Sequence, residues 1–284
     1  MAVARNTGSE NRWRGWGALL LLPILSACST LPGSHAGLGD DDGPPSVPVD
    51  AASVHDAVPR VEAHSPYGNP TFYEVDGRRY YVLASSAGYV ERGIASWYGA
   101  KFHGHRTSSG ELYDMNAMTA AHPTLPIPTY VEVTNLRNGR KVIVKVNDRG
   151  PFRSNRLIDL SYVAAVKLGI TAEGTGLVEV RAIDPAAPSQ TVKVANAPAA
   201  SRNAAYLYLQ VGAFVDRENA ERLSQRVTSL SPGAAIQVRE GASDKINGPV
   251  YRVRIGPLPS VEEVDRLTRK LTGIGIVDSH VVID

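Results

Sequence analysis

Two carboxylic side chains stand in segments that could carry acid–base chemistry. Glu111 lies among small and polar residues at 109–114 (SGELYD), and Asp148 lies in the turn sequence at 147–151 (NDRGP). A carboxyl group can give a proton to a leaving oxygen and take one from an attacking hydroxyl, which is the chemistry of glycoside cleavage. The same turn composition is also typical of an Asp that only binds backbone amides, so both interpretations of Asp148 stay open.

Few other reactive groups are present. The single Cys excludes an intramolecular disulfide framework, a Cys-based zinc site and a Cys-ligated iron–sulfur cluster. His103 and His105 form a His-Gly-His pair, but two histidines without a placed third ligand do not predict a metal site. The sequence lacks nucleophile-elbow and nucleotide-binding glycine patterns, so we expect no cofactor. Asp114 is a weaker acidic candidate, and Asp159 is expected to close a strand or helix end.

Length and composition are those of globular domains. The 284 residues suffice for one large domain or two small ones, and 43% hydrophobic with 20% charged residues argues against a disordered chain. The formal net charge of +2 provides no general basic field, so we expect no nucleic-acid partner.

The first 27 residues are typical of an export signal. Three arginines and one glutamate precede a short apolar run at 16–25, which is too short to span a bilayer permanently. The run ends in LSAC at 25–28, which resembles the bacterial lipobox, and this resemblance implies that Cys28 is lipid-modified and becomes the new N-terminus. Ser29 in place of Asp implies sorting to the outer membrane. The alternative is a chance Cys in an ordinary signal peptide.

Composition divides the rest of the chain into four segments. Residues 28–60 are rich in Gly, Pro, Ser, Ala and Asp without apolar periodicity, and we expect a flexible tether. Residues 61–184 contain mostly short strand patterns separated by turn signals. Residues 185–203 form a second linker rich in Ala, Pro and Ser, and residues 204–284 form a compact module.

The pattern of residues 61–184 predicts a small β-barrel. Alternation at 131–133 and 141–146, joined by the turn pair Asn138-Gly139, predicts a hairpin. One helix is expected between Ser161 as N-cap and Gly169 just past its end. A last strand is expected at 176–182. Many short strands with tight turns in about 90 residues favour a barrel.

The last module shows the order β-α-β-β-α-β. Strands are expected at 206–211, 235–239, 250–255 and 278–283, with helices that begin at Asp216 and after Ser260. The order implies one four-stranded sheet covered by helices on a single face.

Four sequence strings carry a resemblance to a known family. They are GIASWYG at 93–99, FHG at 102–104, TAAHPTLP at 119–126 and VNDRGPF at 146–152. From about Arg60 to Ala182 the chain resembles the rare lipoprotein A family of bacterial cell-wall proteins. The resemblance implies an all-β double-psi β-barrel and lytic transglycosylase activity, which cleaves the MurNAc–GlcNAc β-1,4 bond of peptidoglycan and leaves a 1,6-anhydro sugar.

The resemblance also assigns site residues. The functional acidic positions of the family fall on Glu111 and Asp148, and its nearby His falls on His122. We predict Asp148 as the acid/base, Glu111 as the group that stabilises the oxocarbenium-like state or orients the acid, and His122 as a residue that positions substrate or tunes the carboxylates. Attack by the O6 of the sugar itself replaces water, so no second carboxylate nucleophile is strictly required.

Three further residues of the barrel are candidates for substrate binding. Trp97 and Tyr98 could line a sugar groove, but alternation along a strand places only one of them on a given face and the other in the core. Arg149 could clamp a muramyl or peptide carboxylate, or simply pair with a neighbour.

The last module resembles a SPOR domain, through LQVGAF at 209–214 and YRVRIGPL at 251–258. SPOR domains bind glycan strands stripped of stem peptides, which are abundant where daughter walls separate. Period-two geometry turns Leu207, Leu209 and Val211 towards the helices. The exposed face should then carry the candidate glycan-binding residues Tyr206, Tyr208, Gln210, Arg252 and Arg254. The alternatives are an ordinary solvated sheet face and, against the export signal, RNA binding.

Together these features predict two domains, a double-psi β-barrel and a small α+β SPOR domain, on a lipid-anchored cell-envelope protein. The expected function is an endolytic peptidoglycan lytic transglycosylase that prefers peptide-free glycan at the division septum, anchored at Cys28 to the periplasmic face of the outer membrane. Divisome proteins are further candidate partners. The opposing interpretation is a non-catalytic, expansin-like wall-binding lipoprotein, and a third is a structural lipoprotein that bridges membrane and wall.

Overall fold

The computed structural model describes residues 43–45, 49–153, 155–187, 206–230, 233–243 and 246–284. The predicted export signal, the lipobox Cys28 and most of the linker at 185–203 lie outside the described residues. Within the described ranges, no helix is both long and apolar enough for a membrane crossing.

A closed six-stranded barrel forms the first domain. The elements up to residue 182 are β1 (Phe72–Val75), β2 (Arg78–Tyr81), β3 (Val90–Tyr98), β4 (Thr119–Ala121), β5 (Thr129–Asn135), β6 (Lys141–Asp148), β7 (Ile158–Ser161), α1 (Tyr162–Leu168) and β8 (Gly176–Ala182). The barrel order is β3-β7-β4-β6-β5-β8, with β1 and β2 paired in a separate hairpin. The pairs β3–β7 and β4–β6 are parallel, whereas the other pairs of the barrel are antiparallel. This topology confirms the predicted double-psi barrel.

Alternating valines fill the barrel. Val131 and Val133 on β5 face Val144 and Val142 on β6, and all four are at most 1% exposed. The intervening turn uses Gly139 at φ 72°, a left-handed conformation that costs glycine little. The hairpin expected at this position is therefore confirmed, with its inward face buried by β-branched side chains.

Helix α1 begins and ends at the expected residues. The Ser161 Oγ accepts a hydrogen bond from the Ala164 N–H at 3.3 Å, and Gly169 ends the helix in the left-handed conformation. The cap marks the residue at which β7 ends and α1 begins.

Residues 49–60 differ from the expected tether because they lie against the barrel. Ala51 is 9% exposed within the core cluster, and the Ala57 N–H donates to the Ile143 carbonyl at 3.0 Å. The Asp56 carboxylate accepts the Ile143 N–H and pairs with Lys167. The isolated apolar residues of this segment show no period, so composition did not reveal that they complete the barrel surface.

The second domain is a four-stranded antiparallel sheet with two helices. Its elements are β9 (Leu207–Phe214), α2 (Arg217–Leu230), β10 (Ile236–Ser243), β11 (Ile246–Leu258), α3 (Val261–Thr272) and β12 (His280–Ile283). The sheet order is β10-β11-β9-β12. Leu207, Leu209 and Val211 are at most 4% exposed and share a core cluster with apolar residues of α2 and α3, as the alternation predicted.

The two domains share buried apolar side chains. Ile94 on β3 and Leu177 on β8 are cross-strand partners on the outside of the barrel, and both belong to the core cluster of the second domain. Asn155 and Arg156 add hydrogen bonds to Thr268 and Asp265 on α3. A cleft of about 720 Å³ lies beside these contacts, lined by residues of both domains.

Candidate active site

The ends of β4 and β6 bring Asp148 to the surface of the barrel. Ala121 pairs with Asp148 after a bulge that contains Asn147, and a bulge at a barrel rim redirects the side chain that follows it. Asp148 Oδ1 accepts the Ser108 N–H at 2.8 Å, the Ser108 Oγ–H at 2.7 Å and its neighbour's N–H, that of Arg149, at 2.7 Å. The residue is half-buried. Three donors therefore fix Oδ1, and Oδ2 is the oxygen left for a ligand.

Glu111 reaches the same end of the barrel from the loop that carries Ser108. Its carboxylate accepts hydrogen bonds from Lys145 Nζ at 2.9 Å and Asn147 Nδ2 at 2.7 Å, and its side chain is 47% exposed. Partial burial raises the pKa of Glu111, but these two hydrogen bonds together with the charge of Lys145 outweigh that effect and lower the pKa overall. Glu111 is thus tied to Asn147, the residue before Asp148, and it is held as an ionised group.

His122 lies directly beneath the surface and does not reach it. The ring is 1% exposed, and its Nδ1 accepts the N–H groups of Thr124 and Leu125 at 3.2 and 3.0 Å. Nε2 lies 2.9 Å from the Tyr89 Oη, which itself donates to Glu91 at 2.8 Å, so the hydrogen-bond pattern assigns the proton to Nε2. Burial, with a smaller contribution from the Arg149 charge, lowers the pKa of His122 to about 3. A neutral, buried imidazole can position the loop but cannot contact a sugar.

The guanidinium group of Arg149 forms hydrogen bonds with other groups of the protein. Nε donates to the Gly68 carbonyl at 2.8 Å, and Nη1 donates to the carbonyls of His122 and Leu125 at 3.0 and 2.6 Å. Nη2 donates to Asn69 Oδ1 at 3.1 Å. The guanidinium therefore ties three loops together below Asp148, which corresponds to the pairing alternative and not to a clamp for a ligand carboxylate.

Trp97 and Tyr98 alternate as predicted, and neither forms an open platform. Trp97 packs against the barrel core and meets Tyr162 edge to face, with ring centroids 5.4 Å apart. Tyr98 points outward but is covered by Tyr113, whose ring stacks on it at 4.0 Å. Burial is the main cause that raises the pKa of Tyr98 well above its usual value.

An aromatic cluster beside Asp148 was missed by the sequence reasoning. Phe152, four residues after Asp148, packs edge to face on Tyr73 and Tyr80 of the β1–β2 hairpin, at 6.1 and 5.6 Å. Phe152 remains 40% exposed. The density of aromatic residues at 72–81 was a usable signal, since aromatic faces next to a carboxylate suit sugar rings.

The sheet face of the second domain differs from the expected open surface. Tyr206 is 52% exposed, but Tyr208 and Gln210, which were expected to be exposed, are both 6% exposed. The Arg239 guanidinium lies over the Tyr208 ring at 5.2 Å, and Arg254 Nε donates to Gln210 Oε1 at 3.3 Å. Long arginine side chains thus cover the middle of this face.

Asp284 holds two of these arginines. Its carboxylate accepts from Arg239 Nη1 at 2.7 Å and from Arg254 Nη1 at 3.1 Å. Arg252, the other predicted arginine, donates to the Ala242 carbonyl at 2.9 Å. The face is therefore cationic but internally paired, and an acidic ligand would have to compete with Asp284.

No metal site is assembled around the His-Gly-His pair within the described ranges. His103 Nδ1 accepts the Met115 N–H at 3.2 Å and lies 3.7 Å from Asp114. The described part of the chain contains no cluster of three or more His, Cys, Asp or Glu side chains that could hold a metal ion.

Comparisons with known proteins point to one family. Residues 90–182 match a family model described as lytic transglycolase, and residues 203–282 match the SPOR domain. The endolytic peptidoglycan transglycosylase RlpA of Pseudomonas aeruginosa is 38% identical over 312 residues, which cover 89% of each chain. The Vibrio cholerae protein of the same name is 43% identical over 209 residues, 74% of this chain and 76% of that one. A crystal structure of the P. aeruginosa RlpA SPOR domain covers 27% of this chain and 96% of its own, with 29% identity and a TM-score of 0.25.

Proposed function

Because the chain belongs to the RlpA family of endolytic peptidoglycan transglycosylases, we propose that it cleaves glycan strands of peptidoglycan at the MurNAc–GlcNAc β-1,4 bond. The observation that carries this proposal is the position of Asp148, a half-buried carboxylate fixed through one oxygen at the barrel rim and preceded by Asn147, which binds Glu111.

The reaction needs two proton transfers and no water. A carboxyl group gives a proton to the glycosidic oxygen as the C1–O4 bond breaks, and positive charge develops on the muramyl ring. The C6 hydroxyl of the same ring then bonds to C1, and its proton passes to a carboxylate, which gives the 1,6-anhydro product. We assign these transfers to Asp148, and we assign to the ionised Glu111 the stabilisation of the developing charge.

We assign the choice of substrate to the second domain. The SPOR match supports binding to peptidoglycan, and the exposed Tyr206 beside the arginines of the sheet offers an aromatic face and positive charge to a muramic acid polymer. The proposal therefore includes a preference for glycan without stem peptides, which would enrich the protein at the septum. A lipid anchor at Cys28, attachment to the outer membrane and contact with divisome proteins complete the proposal.

The test is direct. Purified full-length protein is incubated with sacculi from which an amidase has removed the stem peptides, and soluble products are analysed by mass spectrometry. We expect oligosaccharides of several lengths that end in 1,6-anhydroMurNAc, with fewer products from intact sacculi. Binding to glycan without any anhydro ends would overturn the enzymatic proposal and favour the expansin-like binder.

A further inference from the structure

A second acidic residue lies in the same transverse row of the barrel as Asp148. In the order β3-β7-β4-β6, Ser96 pairs with Asp159, Asp159 with Ala121, and Ala121 with Asp148. Paired residues direct their side chains to the same face of a sheet, so the two aspartates share the outer face. Two strand spacings separate them, which is roughly 10 Å between Cα atoms. Ala121 on β4 is the paired residue between them.

The surroundings of the two aspartates differ. Asp159 is half-buried, and the Ser96 hydroxyl donates to its Oδ1. Burial is the main cause that raises the pKa of Asp159, while the Ser96 hydrogen bond and the charges of Arg156 and Arg153 act in the opposite direction and the Asp148 charge adds to the rise. Asp148, by contrast, receives three donors on one oxygen.

The buried hydroxyl of Tyr98 lies near both carboxyl groups. Tyr98 Oη is inaccessible to solvent, and the neighbouring Thr119 hydroxyl lowers the pKa of Tyr98 against the larger effect of burial. After burial and the neighbouring Tyr113, the charges of Asp148 and Asp159 each raise the pKa of Tyr98, so its phenol group is close to both.

We propose that Asp159 is the second carboxyl group of the transglycosylase site and that it protonates the leaving sugar oxygen, while Asp148 accepts the proton of the attacking C6 hydroxyl. This inference rests on the proposed function and divides between two groups the transfers that Asp148 would otherwise make alone. Two carboxyl groups in different environments are how one site supplies an acid and a base at the same pH.

The proton balance closes over one cycle. The protonated Asp159 gives its proton to O4 as the C1–O4 bond breaks, and the released GlcNAc end keeps that proton. The C1–O6 bond forms and the O6 proton passes to Asp148. Exchange with solvent then returns Asp148 to the carboxylate and Asp159 to the acid, so no oxidant, metal or water is consumed.

The experiment compares Asp159→Asn in the full chain on two substrates. Cleavage of peptide-free glycan needs protonation of the leaving sugar oxygen. In a 4-methylumbelliferyl glycoside of a muramic acid disaccharide, the leaving group is 4-methylumbelliferone, which leaves without help from an acid. We expect kcat on glycan to fall at least about 100-fold with KM within about threefold, and kcat on the aryl glycoside to fall by less than about tenfold. Equal losses on the two substrates, or a variant that keeps most of its activity on glycan, would overturn the proposal.

A second variant keeps the test decisive where Asp159→Asn folds poorly. Ser96→Ala removes a donor that lowers the pKa of Asp159, so the decline of kcat on the alkaline side should move to higher pH. The charged groups that face Asp159, namely Asp148, Arg153 and Arg156, and the nearby Tyr98 are unchanged in this variant. Ser161→Ala on the same strand is the matched control, since it removes a helix cap and should leave the pH profile in place.

The outcomes separate this inference from the proposed function. A wild-type protein that makes no anhydro ends refutes both. The role of Asp159 is refuted if the wild-type protein makes anhydro ends and the alkaline decline of kcat in Ser96→Ala stays at the wild-type pH. That result leaves the proposed transglycosylase activity in place.

Discussion

The backbone N–H of His122 donates to the backbone carbonyl of Asp148 across 3.0 Å. The carbonyl of His122 in turn accepts from Arg149 Nη1 at 3.0 Å. His122 is thus joined to the acidic residue through the main chain, while its ring is turned into the protein. These two hydrogen bonds hold the end of β6 that carries Asp148 in place.

Asp148→Asn should abolish product formation without loss of the fold. The amide oxygen can still accept from Ser108, but the side chain no longer exchanges protons. We expect a fall in anhydro-end release of at least about 100-fold, measured by mass spectrometry on peptide-free glycan. Asp184→Asn is the matched control, because Asp184 is exposed and also accepts one backbone N–H, at 2.9 Å. Undiminished release by Asp148→Asn would contradict the assignment.

Glu111→Gln should lower kcat more than it lowers stability. The substitution removes the negative charge that faces the site, whereas an exposed ion pair such as Glu111–Lys145 contributes only about 0–1 kcal/mol to folding. We expect kcat to fall about tenfold or more, with a melting temperature within a few degrees of the wild type. Glu132→Gln breaks the comparable 2.8 Å pair with Lys141 and serves as control. Equal effects of the two substitutions would argue against a role for Glu111.

The pH dependence of stability should carry a contribution from His122. Its pKa is about 3 in the folded protein and 6.5 when unfolded, so the unfolded state gains a proton first as the pH falls. The stabilisation by the neutral ring is complete above pH 6.5 and is lost towards pH 3, and at pH 5 the loss is about 2 kcal/mol. Denaturant titrations at pH 7 and 5 should show this loss in the wild type. In His122→Asn, which keeps an acceptor for Thr124 and Leu125, the loss should shrink; an unchanged difference would refute the assignment.

Arg149→Lys should affect folding and not substrate affinity. A lysine cannot reproduce the four hydrogen bonds to Gly68, Asn69, His122 and Leu125. We expect a loss of about 3 kcal/mol in the free energy of unfolding and an unchanged KM among the folded molecules. A large rise in KM at normal stability would instead identify Arg149 as a ligand clamp.

Asp284→Asn should tighten binding to acidic glycan. The substitution frees Arg239 and Arg254 from their carboxylate partner and makes both available to the carboxylates of muramic acid. We expect a few-fold lower Kd for peptide-free glycan, measured by isothermal titration calorimetry, and no change for a chitin oligosaccharide, which has no carboxylate. Weaker binding to the acidic glycan would show that Asp284 positions the arginines for the ligand.

Local sequence signals predicted much of the fold. The strand Gly176–Ala182, the cap at Ser161 and the alternation of Trp97 and Tyr98 are all observed as expected, because each depends on turn chemistry or on a period of two. The burial of Tyr208 could not be predicted in this way. Alternation assigns a residue to a face of the sheet but does not show which long side chains from neighbouring strands cover that face.

The same limit applies to the candidate site. The family resemblance assigned Glu111 and Asp148 to the site, but nothing local indicated that His122 would be buried or that Arg149 would bind backbone carbonyl groups and Asn69. Asp159 was expected to do no more than close an element, because its relation to Asp148 exists only through the strand order β7-β4-β6. Long-range pairing of this kind leaves no trace in the spacing of residues along the chain.

The apolar pair Ile94 and Leu177 fixes the position of the second domain against the barrel. Since both side chains are buried against the second domain, the proposed function makes the distance between its sheet and Asp148 a property of the folded protein and not of the connecting segment. Inserting residues between 187 and 206 would then leave the lengths of the released fragments unaltered, whereas a charge at Ile94 would broaden them.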